Sequence, residues 1–203
     1  MAVPTWFAEL FQDLSAVQVS QLFQHYEILE RWNQRMNLTS LKPGPEMVVR
    51  HYCESLFFAR HIPDGFAGMS IVDIGSGAGF PGVPIAVAYP DWKVTLVESN
   101  QRKAVFLREA TRGIPNISVL AKRAEDLAIE SRAAIDSFDW LVSRAVDPKE
   151  VVKLVPVLAP RVGIMVGEAD FIDLQRSPDL AWSSPITLPW GDRTLCAYGW
   201  CST

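Results

Sequence analysis

Ile71-Val72-Asp73-Ile74-Gly75-Ser76-Gly77-Ala78-Gly79-Phe80-Pro81-Gly82 is the stretch on which the fold turns. Ile71–Ile74 reads as a buried strand and Gly82–Ala88 as a helix, so the glycines between them lie in a strand-to-helix bend. Glycine takes positive φ there without a Cβ clash and lets backbone amides approach a ligand closely. A dinucleotide turn of the form GxGxxG counted from Gly75 needs glycine at position 80, and Phe80 occupies it. The spacing is instead DxGxGxG, the form expected where a methionine-linked adenosine lies over the bend. On that reading Asp73 receives the ligand's ammonium directly or through water, while the backbone of Gly75, Gly77 and Gly79 passes beneath methionine and ribose. A glycine-rich bend alone is weak evidence, and its surroundings give it weight.

A second apolar strand, Val94–Val97, ends at Glu98, 25 residues after Asp73. A carboxylate in that place accepts both hydrogen bonds of a ribose diol. The same acid occurs in nicotinamide folds, so it supports an adenosine cofactor without choosing one. After a third strand, Ile117–Leu120, Ala124 and Glu125 fall where an adenine edge would lie, although Glu125 is equally a helix-start charge. Strands over Phe138–Val142 and Val162–Val166, helices over Arg102–Arg112 and Pro148–Val157, and a late edge strand at Leu195–Trp200 continue the pattern. Such alternation predicts an α/β fold, a mostly parallel Rossmann-like sheet flanked by helices.

Before Ser70 the pattern is helical. Residues 5–14 and about 18–34 read as helices, the second from Leu22, Tyr26, Leu29 and Trp32 at helical spacing. Pro43, Gly44 and Pro45 mark a loop, and a further helix covers 46–60. The expected organisation is an N-terminal helical extension over 1–68 and a cofactor-binding domain over 69–203.

Composition narrows the class. With 203 residues, 49% hydrophobic and 21% charged, the chain is expected to be globular and cytoplasmic, with no apolar run long enough for a membrane span and no signal peptide. Cys53, Cys196 and Cys201 are too few and too irregular for a disulfide framework, and no metal-ligand spacing is present. A net charge of -4 argues against coating nucleic acid through global charge, and leaves room for a local basic groove.

The fourth strand ends in Leu141-Val142-Ser143-Arg144-Ala145. Exocyclic-amine methylation calls for a DPPY-like or NPPY-like sequence there, and pyrimidine C5 chemistry for a nearby cysteine nucleophile. Neither is found.

With these residues in place, the chain resembles the bacterial small-subunit ribosomal RNA guanine-N7 methyltransferases, the glucose-inhibited division protein B family. The likeness runs from about Leu29 to Leu195. It is carried by Trp32-Asn33, Asn37-Leu38-Thr39, Arg50-His51 with Glu54-Ser55-Leu56, Val72–Gly82, Glu98-Ser99, Arg102-Lys103, Phe106-Leu107-Arg108, Arg123 with Glu125, and Ser143-Arg144-Ala145. The resemblance implies a class I methyltransferase that uses S-adenosyl-L-methionine without metal and yields S-adenosyl-L-homocysteine. It implies cofactor contacts at Gly75, Phe80, Ala124, Glu125 and Arg144, and as substrate a guanine in the decoding-region stem-loop of 16S ribosomal RNA, naked or in a 30S particle. No protein partner is evident, and a monomer is expected.

Guanine N7 has a lone pair and no proton to lose, so in-line attack on a sulfonium methyl needs alignment and electrostatics rather than a base. Arg144 is the expected catalytic residue, holding the cofactor carboxylate or guanine O6, and Arg144→Ala is expected to stop transfer while leaving the fold intact. Arg31, Arg35, Asn37, Arg50, His51, Arg102, Lys103, Arg108, Arg123 and Arg193 are the expected RNA contacts, with structural roles equally open for Asn37 and His51. Two departures bear on RNA: Val166-Gly167-Glu168 stands where the family often has Lys-Gly-Gln, and Tyr198–Thr203 lacks a basic finish. A small-molecule methyltransferase, and a noncatalytic protein retaining the fold, are the competing readings.

Overall fold

The computed structural model describes residues 2–134, 137–176, 178–190 and 193–202. Five parallel strands form the centre: β1 (Ser70–Ile74), β2 (Lys93–Val97), β3 (Ile117–Leu120), β4 (Trp140–Arg144) and β5 (Arg161–Gly167). Their spatial order is β3-β2-β1-β4-β5, and the register sets Asp73 beside Leu96 on one side and Val142 on the other. Winding runs outward from β1 to β3, then restarts at β4 on the other side of β1. The order therefore reverses between β1 and β4, and open α/β sheets bind ligands beyond the carboxyl ends of the strands at such a point.

Beside β5 runs β8 (Thr194–Cys201), antiparallel, with Arg161 paired to Trp200 and Gly167 to Thr194. Sequence periodicity places this strand at the edge. It is interior instead, because β6 (Leu180–Trp182) and β7 (Ile186–Thr187) pair with its outer side. Runs of three and two residues are too short to show an alternation.

Side chains alternate across the pleat, so each strand feeds two cores. Ile71, Val94, Leu96, Trp140, Val142 and Met165 face one layer. It consists of α1 (Thr5–Ala8) with a 3₁₀ turn, α2 (Ala16–Asn33), α3 (Pro45–Val48), a π turn (Val49–Cys53), α4 (Glu54–Arg60), α5 (Gly82–Ala88) and α6 (Gln101–Ala110). Val72, Ile74, Val97, Leu141, Val162 and Ile164 face α7 (Ala124–Ala134), α8 (Pro148–Leu158) and α9 (Glu168–Leu174).

The N-terminal helices share a core with the sheet, Leu22 and Leu29 packing in one cluster with Val83, Leu96 and Phe106. Ser15 and Gln18 form a reciprocal capping box that starts α2, and the Gln18 amide also donates to the Val87 carbonyl at the end of α5, 2.8 Å away. The expected helix over 46–60 is helical throughout, but a π turn interrupts it. Among the described residues no helix is long and apolar enough to cross a membrane.

Candidate functional site

At the β1/β4 reversal the backbone folds into a tight bend. The Gly75 and Ser76 amides donate to the Val97 carbonyl at the end of β2, at 2.9 and 3.1 Å. Gly75, Gly77 and Gly79 all have positive φ: 71°, 56° and 93°. Glycine is required at two of them for space as well. A Cβ on Gly75 would lie 2.3 Å from Val146 Cγ2, and one on Gly79 would lie 2.7 Å from Val83 Cγ2.

Two acids flank the bend. Asp73 is fully buried; its Oδ2 accepts the Gly82 amide at 3.1 Å, and its Oδ1 has no hydrogen-bond partner. Burial pushes its carboxyl up to about 7, outweighing the Gly82 hydrogen bond that favours the carboxylate. Glu98 Oε2 accepts the Gly77 amide at 2.9 Å and Oε1 accepts the Asn100 amide at 2.7 Å. Glu98 thus stitches the bend to the loop after β2, and each oxygen keeps a second lone pair for a further donor.

A cavity of about 210 Å³ opens here, lined by Gly75, Val97, Ser99, Ala124, Glu125 and Val146. Residues expected to hold a cofactor from three strand ends are therefore brought together. The volume is below the 300–1,000 Å³ of a pocket for a whole drug-sized ligand, which suits the nucleoside end of a longer molecule. The unpartnered Asp73 Oδ1, the open space beside Gly77 and this cavity fit the adenosyl cofactor expected from the sequence. Among the described residues no group of three or more His, Cys, Asp or Glu is placed to hold a metal ion.

Phe80 lies behind the bend. It is 6% exposed, stacked on His51 with ring centroids 4.7 Å apart, and meets His25 and Tyr52 edge-on at 5.5 and 4.9 Å. His25 Nδ1 and the Tyr52 hydroxyl share a hydrogen bond of 2.7 Å. Desolvation lowers His25 to about 4, so its ring is neutral near pH 7. His51 is lowered to about 3 by burial and by the charges of Arg144 and Arg50; its Nε2 bonds the Thr39 hydroxyl at 2.7 Å. His51 is half-buried, with its ring engaged by Phe80 and Thr39.

Arg144 ends β4. Its Nη2 donates to Glu54 Oε2 and its Nη1 to the Arg50 carbonyl, both at 2.7 Å. Arg50 in turn pairs with Glu54 Oε1 at 2.9 Å. Glu54 is fully buried, and Arg144's side chain is 17% exposed. The expectation that Arg144→Ala spares the fold is corrected by this geometry: the substitution strips a buried carboxylate of a cation. Ala145, next in sequence, has φ 60°, a left-handed conformation rare for a residue with a Cβ. Ser143 Oγ donates to the Ile74 carbonyl at 2.8 Å, locking β4's end to β1's.

The expected RNA contacts scatter. Arg31, Arg35 and Arg102 converge on one cavity of about 390 Å³ with Trp32. Arg108 is exposed and Lys103 half-buried on α6, Arg123 is exposed at the rim of the smaller cavity, and Arg193 is exposed beside the carboxyl end of β5. Asn37 is exposed in a loop that Asn33 holds, its Oδ1 accepting the Leu38 and Thr39 amides at 2.8 and 3.0 Å. Arg50 and His51 belong to the interior network. Sequence reasoning missed Glu54, His25 and Tyr52 as site residues. The signals available were a lone acid between Tyr52-Cys53 and Ser55-Leu56, and a histidine three residues after Leu22 on the buried stripe of α2.

A model of the rRNA small subunit methyltransferase G family (GidB) matches residues 18–166. The chain is 46% identical over 128 residues to the ribosomal RNA small subunit methyltransferase G of Nitrosomonas europaea, a stretch covering 62% of this chain and 56% of that protein. It is 37% identical over 150 residues to the protein of the same name from Chromobacterium violaceum, covering 72% and 68%. The chain thus spans under two thirds of the length of the first of these relatives. Among solved structures it is similar to a putative O-methyltransferase from Klebsiella pneumoniae (TM-score 0.62, 16% identity, 95% of this chain and 99% of that one). A Bacillus cereus O-methyltransferase in complex with SAH is also similar (TM-score 0.59, 12% identity, 87% and 90%). At these identities the structural likeness establishes the fold, which is the class I methyltransferase fold expected from the sequence.

Proposed function

The chain belongs to the rRNA small subunit methyltransferase G (GidB) family, and from that premise we propose that it transfers a methyl group from S-adenosyl-L-methionine to N7 of a guanine in the decoding-region stem-loop of bacterial 16S ribosomal RNA. The observation that carries the reading is the Cβ-free bend at the β1/β4 reversal, with a buried unpartnered carboxylate oxygen below it and a nucleoside-sized cavity beside it.

The cofactor supplies an activated methyl group on a sulfonium. Asp73 Oδ1 provides an acceptor for the ammonium, and Gly77, whose Cβ position is open, lets the ligand approach the backbone of the bend. Glu98 has lone pairs for the ribose diol, and Ala124 and Glu125 border the adenine edge. With a carboxyl that titrates near 7, Asp73 is the natural partner of a cation, which favours its ionised form.

Guanine N7 attacks in line with its own lone pair, so no side chain need take a proton. Arg144 stands at the carboxyl end of β4 and is held by Glu54 and the Arg50 carbonyl. A guanidinium so fixed can direct a further N–H to guanine O6 or to the cofactor carboxylate. The protein acts in the cytoplasm on 16S RNA or a 30S assembly particle.

Labelled-methyl transfer offered in parallel to 16S RNA, 30S particles and mixed metabolites, followed by mapping of the modified base, tests the reading. Label at a guanine N7 in RNA is expected; label in metabolites alone makes the chain a small-molecule enzyme, and cofactor binding without transfer makes it a noncatalytic one. Gly75→Ala is expected to weaken cofactor binding at least tenfold by calorimetric titration, since its Cβ meets Val146 at 2.3 Å and its φ is 71°. Unchanged affinity in that variant removes the bend from the cofactor site.

A further inference from the structure

A second cavity, of about 390 Å³, lies between the carboxyl end of α2 and the length of α6 from Arg102 to Glu109. Its volume is within the range of small-molecule sites, and three guanidiniums border it: Arg31, Arg35 and Arg102. Glu109 orders one wall, with Oε1 accepting from Arg31 Nη2 at 2.9 Å and Oε2 from the Trp32 indole at 3.1 Å. Trp32 is further fixed edge-on against Phe106, 5.9 Å away. Among the described residues neither Arg35 nor Arg102 has an ion-pair partner. One carboxylate against three guanidiniums leaves the cavity cationic in a chain whose net charge is -4, so the positive field is local. Apolar surface comes from Trp32 and Met36.

The cavity is wired to the bend. Glu98 accepts the Gly77 amide and the Asn100 amide, and the Asn100 side chain accepts the Arg102 and Lys103 amides at 3.0 and 3.2 Å. A continuous run of hydrogen bonds therefore fixes the backbone of Arg102 relative to the glycine backbone.

From this we infer that the cavity is a nucleotide subsite for the RNA strand being methylated, taking a phosphate between Arg35 and Arg102 and the attached base against Trp32. The inference rests on the reading of RNA as substrate. Guanidiniums match phosphate oxygens in two-point geometry, and single-stranded RNA is held by pairing such charges with an aromatic wall. Arg31, already ordered by Glu109, is the cavity's fixed edge; Arg35 and Arg102 are able to close on the ligand.

The test compares the full chain with Arg35→Gln/Arg102→Gln, both exposed positions outside the cofactor machinery. Kd for a 16S RNA transcript is measured across a potassium chloride series, and S-adenosyl-L-methionine affinity alongside. The double variant is expected to bind RNA at least tenfold more weakly. Its log–log salt slope should be shallower by about 0.7 for each single-strand phosphate that is no longer neutralised, with cofactor affinity unchanged. Arg35→Lys/Arg102→Lys should restore the slope and only part of the affinity. Equal Kd and slope in parent and Gln variant overturn the subsite. Competing arms with guanosine monophosphate and inorganic phosphate separate sources: tight binding of free nucleotide at Arg35 and Arg102, with RNA binding indifferent to the substitutions, also overturns it. A parent that binds RNA with Arg-dependent slope yet transfers no methyl group sinks the proposed activity and leaves the subsite standing.

Discussion

The two faces of the sheet are equally dry but are made of different material. Against α7, α8 and α9 the buried cluster is aliphatic apart from Phe171, with Val72, Ile74, Leu141, Val162 and Ile164 supplied by the strands. Against α1–α6 the core is dense in rings, including Phe7, Tyr26, Tyr52, Phe58, Phe80 and Phe106, and it contains the buried polar groups His25 and Glu54. An aliphatic layer contributes burial without direction. The ring-rich layer adds contacts that depend on orientation, and these join the π turn, the glycine bend and the end of β4 into one unit. Damage on that side should therefore reach the Arg144 network, whereas the aliphatic face meets the site through Val97, Ala124 and Val146 at the cavity wall.

The largest expected break is Glu54→Ala. It leaves Arg144, and in part Arg50, without a carboxylate in a poorly solvated place, which costs about 3–5 kcal/mol for a buried pair. Urea unfolding of the variant measures this, and a loss below about 1 kcal/mol, the scale of an exposed pair, would mean the network does not bind the helical layer to β4.

Acid titration sharpens the contrast next, since His25, His51 and Asp73 all lie at or beside the ring-rich side. His25 and His51 have folded values of about 4 and about 3 against 6.5 when unfolded, so the unfolded chain binds more protons below 6.5. Their contribution is complete above 6.5 and is lost as pH falls. Asp73 has the opposite sign: at about 7 folded against 3.8 unfolded, its contribution is complete below 3.8 and is lost as pH rises to 7. Between about pH 4 and 6.5 two protons oppose one, so stability should climb with pH by about 1.4 kcal/mol per unit. In His51→Gln one proton opposes one, and the slope should flatten. Denaturant midpoints at three pH values settle it; a parent whose stability falls from about pH 4.5 to 6.5 contradicts the assignment.

Ile164→Val is the mild control on the aliphatic face. Removing one buried methylene costs about 0.5–1.5 kcal/mol, and cofactor affinity by titration should match the parent. A tenfold loss of affinity would show that this face is not a passive support.

The sheet's centre was legible because buried parallel strands are short apolar runs set between glycine bends and amphipathic helices. Ile117–Leu120 and Gly82–Ala88 have the bounds read from the sequence. Asp73, Glu98, Ala124 and Glu125 could be expected to lie near one another because strand ends in this topology fall on one edge. Side-chain direction was not legible where helical period fails. Arg50 and His51 sit half-buried in a π turn, where the backbone hydrogen bonding departs from the regular helical repeat. There His51 stacks on Phe80, while Arg50 reaches Glu54 at the i,i+4 spacing of a regular helix. Arg144's partner was hidden for another reason: it is 90 residues away, and no local pattern signals so distant an ion pair. The placement of β8 failed because its covering strands are too short to carry a period.

That last strand has a bearing on how the molecule is made. All seven residues of β5 find their antiparallel partners in Thr194–Trp200, so during translation β5 is finished 27 residues before its outer neighbour begins. At about 5–20 residues per second the nascent polypeptide spends on the order of seconds with an apolar, hydrogen-bond-hungry border uncovered. A chain stalled in that interval would offer its border to any other extended segment nearby, making the interval the point in biogenesis where a holdase chaperone has most to do.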